Sequence, residues 1–77
     1  MEELINNIDK LHTTKLGIER IQNNLKISSD VVDYCKKIII DSDSKIYIRG
    51  KNYYCENNNI RITINRHSYT IITAHMI

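Results

Sequence analysis

Apolar and polar positions along the chain follow two different periods in turn. From Met1 to Leu11, the residues Leu4, Ile5, Ile8 and Leu11 fall at the three-and-four spacing of one helix face. Glu2 and Glu3 suit the positive end of that helix. At His12-Thr13-Thr14 the pattern stumbles, because adjacent β-branched hydroxyl residues compete with the helix and Thr13 can cap a new one. Apolar spacing resumes through Leu16, Ile18, Ile21 and Leu25. The region therefore reads as two helical segments joined by either a kink or a true break. Ser28-Ser29-Asp30 offers side-chain acceptors to the free N–H groups of a following turn. A helix is predicted from there to about Ile40, burying Val32, Cys35, Ile38 and Ile39.

After the polar stretch Asp41-Ser42-Asp43-Ser44 the period changes to two. Lys45 to Arg49 puts Ile46 and Ile48 on one face and Lys45, Tyr47 and Arg49 on the other. Gly50-Lys51 fits a type II′ hairpin turn, which pairs Arg49 with Asn52, Ile48 with Tyr53, Tyr47 with Tyr54 and Ile46 with Cys55. Glu56-Asn57-Asn58-Asn59 is expected to be a four-residue loop opposing Cys55 to Ile60. A last turn centred on His67-Ser68 opposes Ile64 to Ile71, Ile62 to Thr73 and Ile60 to His75 on the core side. Arg61, Thr63, Asn65, Thr70, Ile72 and Ala74 then lie on the far side. The pattern predicts an α+β fold in one domain spanning residues 1–77: two to three N-terminal helices packed on one face of a four-stranded antiparallel β-meander.

Composition changes this picture little. Sixteen isoleucines supply most of the apolar volume, and there is no Phe or Trp. A chain of 77 residues has a small core, and self-association as a homodimer is one way to enlarge it. Two cysteines make no disulfide framework, and no secretory signal or membrane-length apolar run is present. Buried reduced thiols in a cytoplasmic protein are the expectation. Cys35, Cys55, His12, His67 and His75 show no short paired spacing, so neither a metal nor any other cofactor is expected.

Charge changes it more. The net charge of +2 is unevenly divided: Met1 to Asp43 carries six Lys/Arg against eight Asp/Glu, whereas Ser44 to Ile77 carries five against one. The predicted sheet is thus the basic part, and a basic sheet favours an anionic partner, RNA above all. Its outer face gathers Lys45, Arg49 and Arg61 with Tyr47 and Tyr54, plus Thr63 and Asn65. Cations for phosphates, aromatic faces for stacking and small hydrogen-bonding side chains are what a single-stranded nucleic acid needs. An ordinary solvated sheet face has the same residue types.

The histidines offer a second chemistry. Metal-free RNA cleavage needs a group to take the 2′-hydroxyl proton, a group to protonate the leaving oxygen, and a cation for the phosphate. His12 and His75 are candidates for the proton transfers and Arg20 for the cation. His75, assigned to the core side, and the tyrosines on the outer side do not fit easily into one site. Asp41, Asp43, Glu2 and Glu3 are explained as solvated charges.

Leu11-His12-Thr13-Thr14 with Gly17, Arg20-Ile21 and Asn24-Leu25, together with Ser68-Tyr69-Thr70-Ile71-Ile72-Thr73-Ala74-His75, resembles a family of small bacterial proteins classed as a domain of unknown function. The resemblance extends over Val32 to Lys37 and Gly50-Lys51-Asn52. It implies a compact cytoplasmic protein and carries no catalytic residue. More distantly, a helix bearing His and then Arg eight residues on, a second helix and a meander ending in Thr-x-His is similar in order to the RelE, barnase and colicin type of toxin ribonuclease. That similarity implies His12, Arg20, Thr73 and His75 as active-site positions. Two functions are therefore expected: a small RNA-contacting protein acting as a metal-independent ribonuclease, or a non-catalytic module that binds a protein partner through a sheet edge or the tyrosine face.

Overall fold

In the computed structural model, which describes residues Glu2–Ile77, the interruption at His12-Thr13 is a true break. Helix α1 (Glu2–Asn6) gives way to a 3-10 turn (Ile8–Lys10), and helix α2 (Lys15–Leu25) begins afresh. Met1, with which the first predicted helix starts, lies outside the described residues. Thr14, one residue later than expected, caps α2 by accepting from the Gly17 N–H at 3.0 Å. Thr13 instead donates its hydroxyl to the Ile71 carbonyl at 2.9 Å. Helix α3 (Val31–Ile40) starts at Asp30, whose carboxylate accepts from Asp33 N–H at 2.9 Å. It buries Val31, Cys35 and Ile39, while Val32 and Ile38 are half-buried, so its inner face is turned slightly from the predicted one.

Four strands follow, β1 (Lys45–Arg49), β2 (Asn52–Asn57), β3 (Ile60–Asn65) and β4 (Ile71–Met76), in the antiparallel order β1-β2-β3-β4. All four predicted β1–β2 pairs are present, and a fifth, Lys45 with Glu56, extends the ladder into what is expected to be loop. Gly50 has φ 60°, the positive value that glycine adopts without a Cβ clash.

The second turn is tighter than the expected four-residue loop. Asn57 pairs with Ile60, leaving Asn58 and Asn59 as a two-residue turn with φ of 51° and 65°. Two positive φ values define the I′ geometry, and Asn tolerates them better than most residues. Cys55 consequently opposes Ile62 rather than Ile60. A shift of two residues preserves parity, so no side chain changes face.

The third hairpin departs in a way that does change faces. Ile64 pairs with Ile71 as predicted, but Thr63 pairs with Thr73, so Ile72 is an extra residue in β4. Beyond this bulge Ile62 opposes Ala74, Arg61 opposes His75 and Ile60 opposes Met76. The predicted pairs Ile62 with Thr73 and Ile60 with His75 are corrected accordingly. Ile71 and Ala74 are three residues apart and therefore out of phase in a regular strand, yet both are buried at 1% or less exposure. One inserted residue lets both apolar side chains reach the core, which a strict alternation would forbid.

The core is built from Leu4, Leu11, Ile21, Val31, Cys35 and Ile39 on the helical side and Tyr53, Cys55, Ile62, Ile64, Ile71 and Ala74 on the sheet. The helices thus cover one sheet face. Among the described residues no helix is long and apolar enough to cross a membrane.

Candidate nucleic-acid interface

The opposite sheet face carries the polar positions of all four strands, and the register arranges them in cross-strand rows. One row is Lys45, Glu56, Arg61 and His75, and the next is Tyr47, Tyr54, Thr63 and Thr73. A third begins with Arg49, Asn52 and Asn65. Thr73 and His75, predicted on the core side, belong to this outer face because of the bulge, and Ala74, predicted outside, does not.

Contacts within these rows are specific. The Tyr47 and Tyr54 rings stack across β1 and β2 with centroids 5.4 Å apart and planes 18° from parallel. The Arg49 guanidinium lies 5.9 Å from the Tyr47 ring centre, a cation–π distance. Glu56 Oε2 accepts from the Tyr47 hydroxyl at 2.7 Å and from Arg61 Nε at 2.9 Å. These two donors hold the Glu56 carboxyl below its ordinary value, with the tyrosine hydroxyl the larger cause. The same hydrogen bond, in which the phenol is the donor, raises the Tyr47 hydroxyl. Lys45 and Arg49 are exposed, Tyr47, Tyr54, Arg61, Thr73 and His75 are half-buried, and Thr63 is buried beneath its neighbours.

Asn65 has a different task from the one its outer position suggests. Its Oδ1 accepts from the backbone N–H groups of His67 and Ser68 at 2.9 and 3.0 Å, organising the hairpin tip. Tyr69, at the end of that tip, has φ 59°.

His12 and Arg20 lie elsewhere. His12 forms a parallel bridge with Thr70 at the start of β4, its N–H donating to Tyr69 O at 3.2 Å and its carbonyl accepting from Ile71 N–H at 2.7 Å. Its imidazole spans Lys10 O through Nδ1 at 2.8 Å and Thr70 Oγ1 through Nε2 at 3.1 Å. The Nδ1 contact with a carbonyl requires the proton on Nδ1, which leaves Nε2 to accept from Thr70 in the neutral ring. With Thr13 on Ile71 O and Asn24 Nδ2 on Ala74 O at 3.2 Å, this seam covers the outer edge of β4. His75 is five residues further along the strand, roughly 16 Å from Thr70 at about 3.3 Å per residue. The predicted set of His12, Arg20, Thr73 and His75 is therefore not brought together: Thr73 and His75 share the open face, His12 is fixed at the seam, and Arg20 is exposed on α2.

Glu56 is the residue that sequence reasoning passed over, because it was assigned to a loop. It is the one acid among the five cations of Ser44 to Ile77, and that isolation was the available signal. Cys35 and Cys55 are free and buried. Burial raises the thiols of both, that of Cys35 to about 12. Among the described residues no group of three or more His, Cys, Asp or Glu could hold a metal ion.

A family model described as "Protein of unknown function (DUF3781)" matches residues 5–75. Neither a curated protein nor a solved structure matches the chain.

Proposed function

The chain belongs to the DUF3781 family of proteins of unknown function, and from that premise we propose that it binds single-stranded RNA on the helix-free face of its sheet. The observation that carries the reading is the stacked Tyr47–Tyr54 pair flanked by Arg49, Lys45 and Arg61 on that face. Aromatic rings give a base a stacking partner, and the cations on either side give the backbone its countercharge. Counting Lys45, Arg49 and Arg61 against Glu56, the face carries a surplus of two positive charges before His75 is considered. Such a surface repels a second copy of itself and attracts a polyanion.

Fluorescence anisotropy with an end-labelled single-stranded RNA tests the reading. Binding should weaken linearly on a logarithmic salt scale, with Arg49→Ala lowering the slope by about 1. Tyr54→Ala should cost about 1–3 kcal/mol of binding free energy. Affinity indifferent to salt and to both substitutions would remove this face from consideration.

A second reading has one observation in its favour. β1 is an edge strand with no neighbour on its outer side among the described residues, and an edge of that kind can accept a partner's strand. Arg49 and Asn52 are the hydrogen-bonded pair beside the two-residue turn, so the N–H groups of Ile46 and Ile48 both face the free edge, and a proline at Ile48 would abolish such pairing and leave RNA binding intact.

A further inference from the structure

We infer that the open face also cleaves the RNA it binds, with Glu56 as general base, His75 as general acid and Arg61 as the phosphate-binding cation between them. The inference rests on the binding reading above and adds a reaction to it. It comes from the β4 bulge, which turns His75 out of the core and into the row that already contains Glu56 and Arg61.

The three residues occupy matched positions on three adjacent strands. Glu56 on β2 is the cross-strand partner of Arg61 on β3, and Arg61 is the partner of His75 on β4. Two strand spacings separate the backbones of the outer pair by about 10 Å. Their side chains rise from the same face, with Arg61 between the carboxylate-bearing and imidazole-bearing positions of the row and its Nε on Glu56 Oε2 at 2.9 Å.

The hydrogen bonding leaves the reactive atoms available. Both donors to Glu56 reach Oε2, and Oε1 accepts no hydrogen bond among the described residues. Arg61 uses Nε to hold Glu56, and neither of its Nη groups has a hydrogen-bond partner among the described residues, which leaves them for a phosphate. His75 is half-buried and has no hydrogen-bond partner among the described residues. Tyr47 and Arg61 together fix the carboxylate in place and keep it ionised. When a phosphate also engages Arg61, that cation is shared between two anions and the smaller of the two holds on Glu56 relaxes, while the hydrogen bond from Tyr47 stays in place and keeps the carboxylate positioned.

The chemistry closes without a metal, oxidant or cofactor. Glu56 Oε1 takes the proton of a ribose 2′-hydroxyl as the 2′-oxygen attacks the adjacent phosphorus. The P–O5′ bond breaks, and the departing 5′-oxygen takes a proton from the imidazolium of His75. The products are a 2′,3′-cyclic phosphate and a 5′-hydroxyl. Glu56 is left protonated and His75 neutral, and exchange with water restores both. Arg61 compensates the charge that builds on the non-bridging oxygens. DNA lacks the 2′-hydroxyl and so can be bound on the same face but not cut.

The test uses the full chain, a labelled single-stranded RNA and the DNA of the same sequence, with a chelator present throughout. Binding and cleavage are read separately. Wild-type protein should cut the RNA to fragments ending in a 2′,3′-cyclic phosphate and bind the DNA without cutting it. Glu56→Gln and His75→Gln should each retain RNA binding within a few-fold and lose about 10²-fold or more in cleavage rate. Thermal melts establish that each variant is folded, and Glu56→Asp serves if the glutamine variant is not. Intact RNA after incubation with protein that binds it overturns the cleavage inference and leaves the binding reading standing. Equal cleavage by wild type and His75→Gln overturns the assignment. An absence of any RNA binding overturns both.

Discussion

Arg61 and His75 are directly opposed across β3 and β4. Their pairing depends on a residue three positions before His75, since Ile72 is the extra position that shifts the second half of β4 by one. The bulge is held from the outside as well. His12 and Thr13 bond Ile71 on its N-terminal side, and Asn24 bonds the Ala74 carbonyl on its C-terminal side. Packing of Ile71 and Ala74 and the hydrogen bonds of the seam therefore select the same register.

Side-chain burial gives a direct check of that register. His75→Ala should change stability by less than about 0.5 kcal/mol, as expected for a substitution outside the core. Ala74→Leu should destabilise by about 1–3 kcal/mol, because Ala74 has no exposed surface and the added volume must displace its packed neighbours. Urea unfolding of the two variants measures this, and the reverse order would indicate a strand without the bulge.

Gly17 is required by its neighbour rather than by its own backbone. A Cβ at this position would run into the Thr13 hydroxyl, which is held on the Ile71 carbonyl. Gly17→Ala should therefore lower stability by about 1–3 kcal/mol, although alanine is the better helix former by about 1 kcal/mol. In a Thr13→Ala background the hydroxyl is gone, and the same change should cost much less. A double-mutant cycle on the unfolding free energy reads the coupling.

Glu56 should make stability depend on acidity. Its folded pKa is lowered, first by the Tyr47 hydroxyl and then by Arg61, so the folded state releases this proton more readily than the unfolded state. The stabilisation is present above the ordinary carboxylate value of 4.5 and is lost as pH falls through the lowered folded value. Melting curves between neutral pH and pH about 3 should show a steeper fall for wild type than for Glu56→Gln. Parallel curves would mean that the Tyr47–Glu56–Arg61 contacts do not persist in solution.

The thiols should act in the opposite direction. Cys35 is raised by burial, and secondarily by Cys55, from 9.0 to about 12. Its contribution is complete below pH 9 and is lost as pH rises toward 12, because the unfolded chain releases that proton first. At neutral pH both thiols should resist a disulfide reagent until the protein unfolds. Reaction within seconds under native conditions would contradict the burial of Cys35 and Cys55.

Local patterning by itself determined most of the fold. Apolar spacing located α2 and α3, Asp30 announced its cap, and alternation with a glycine turn gave the pairs of the first hairpin from Arg49–Asn52 to Ile46–Cys55, though not Lys45–Glu56. Those features rest on contacts between residues close in sequence, or on a period that the chain repeats. It also assembled Lys45, Tyr47, Arg49, Tyr54, Arg61 and Thr63 on one face, because parity survives an error of two residues in the Asn58-Asn59 turn. What tertiary structure alone decided is the face on which β4 presents Thr73, Ala74 and His75. That choice depends on burying Ile71 and Ala74 together and on hydrogen bonds from His12, Thr13 and Asn24, residues some 50 to 58 positions away in the chain. A single inserted residue inverts every side chain beyond it, and no two-residue period in the sequence can reveal where the insertion falls.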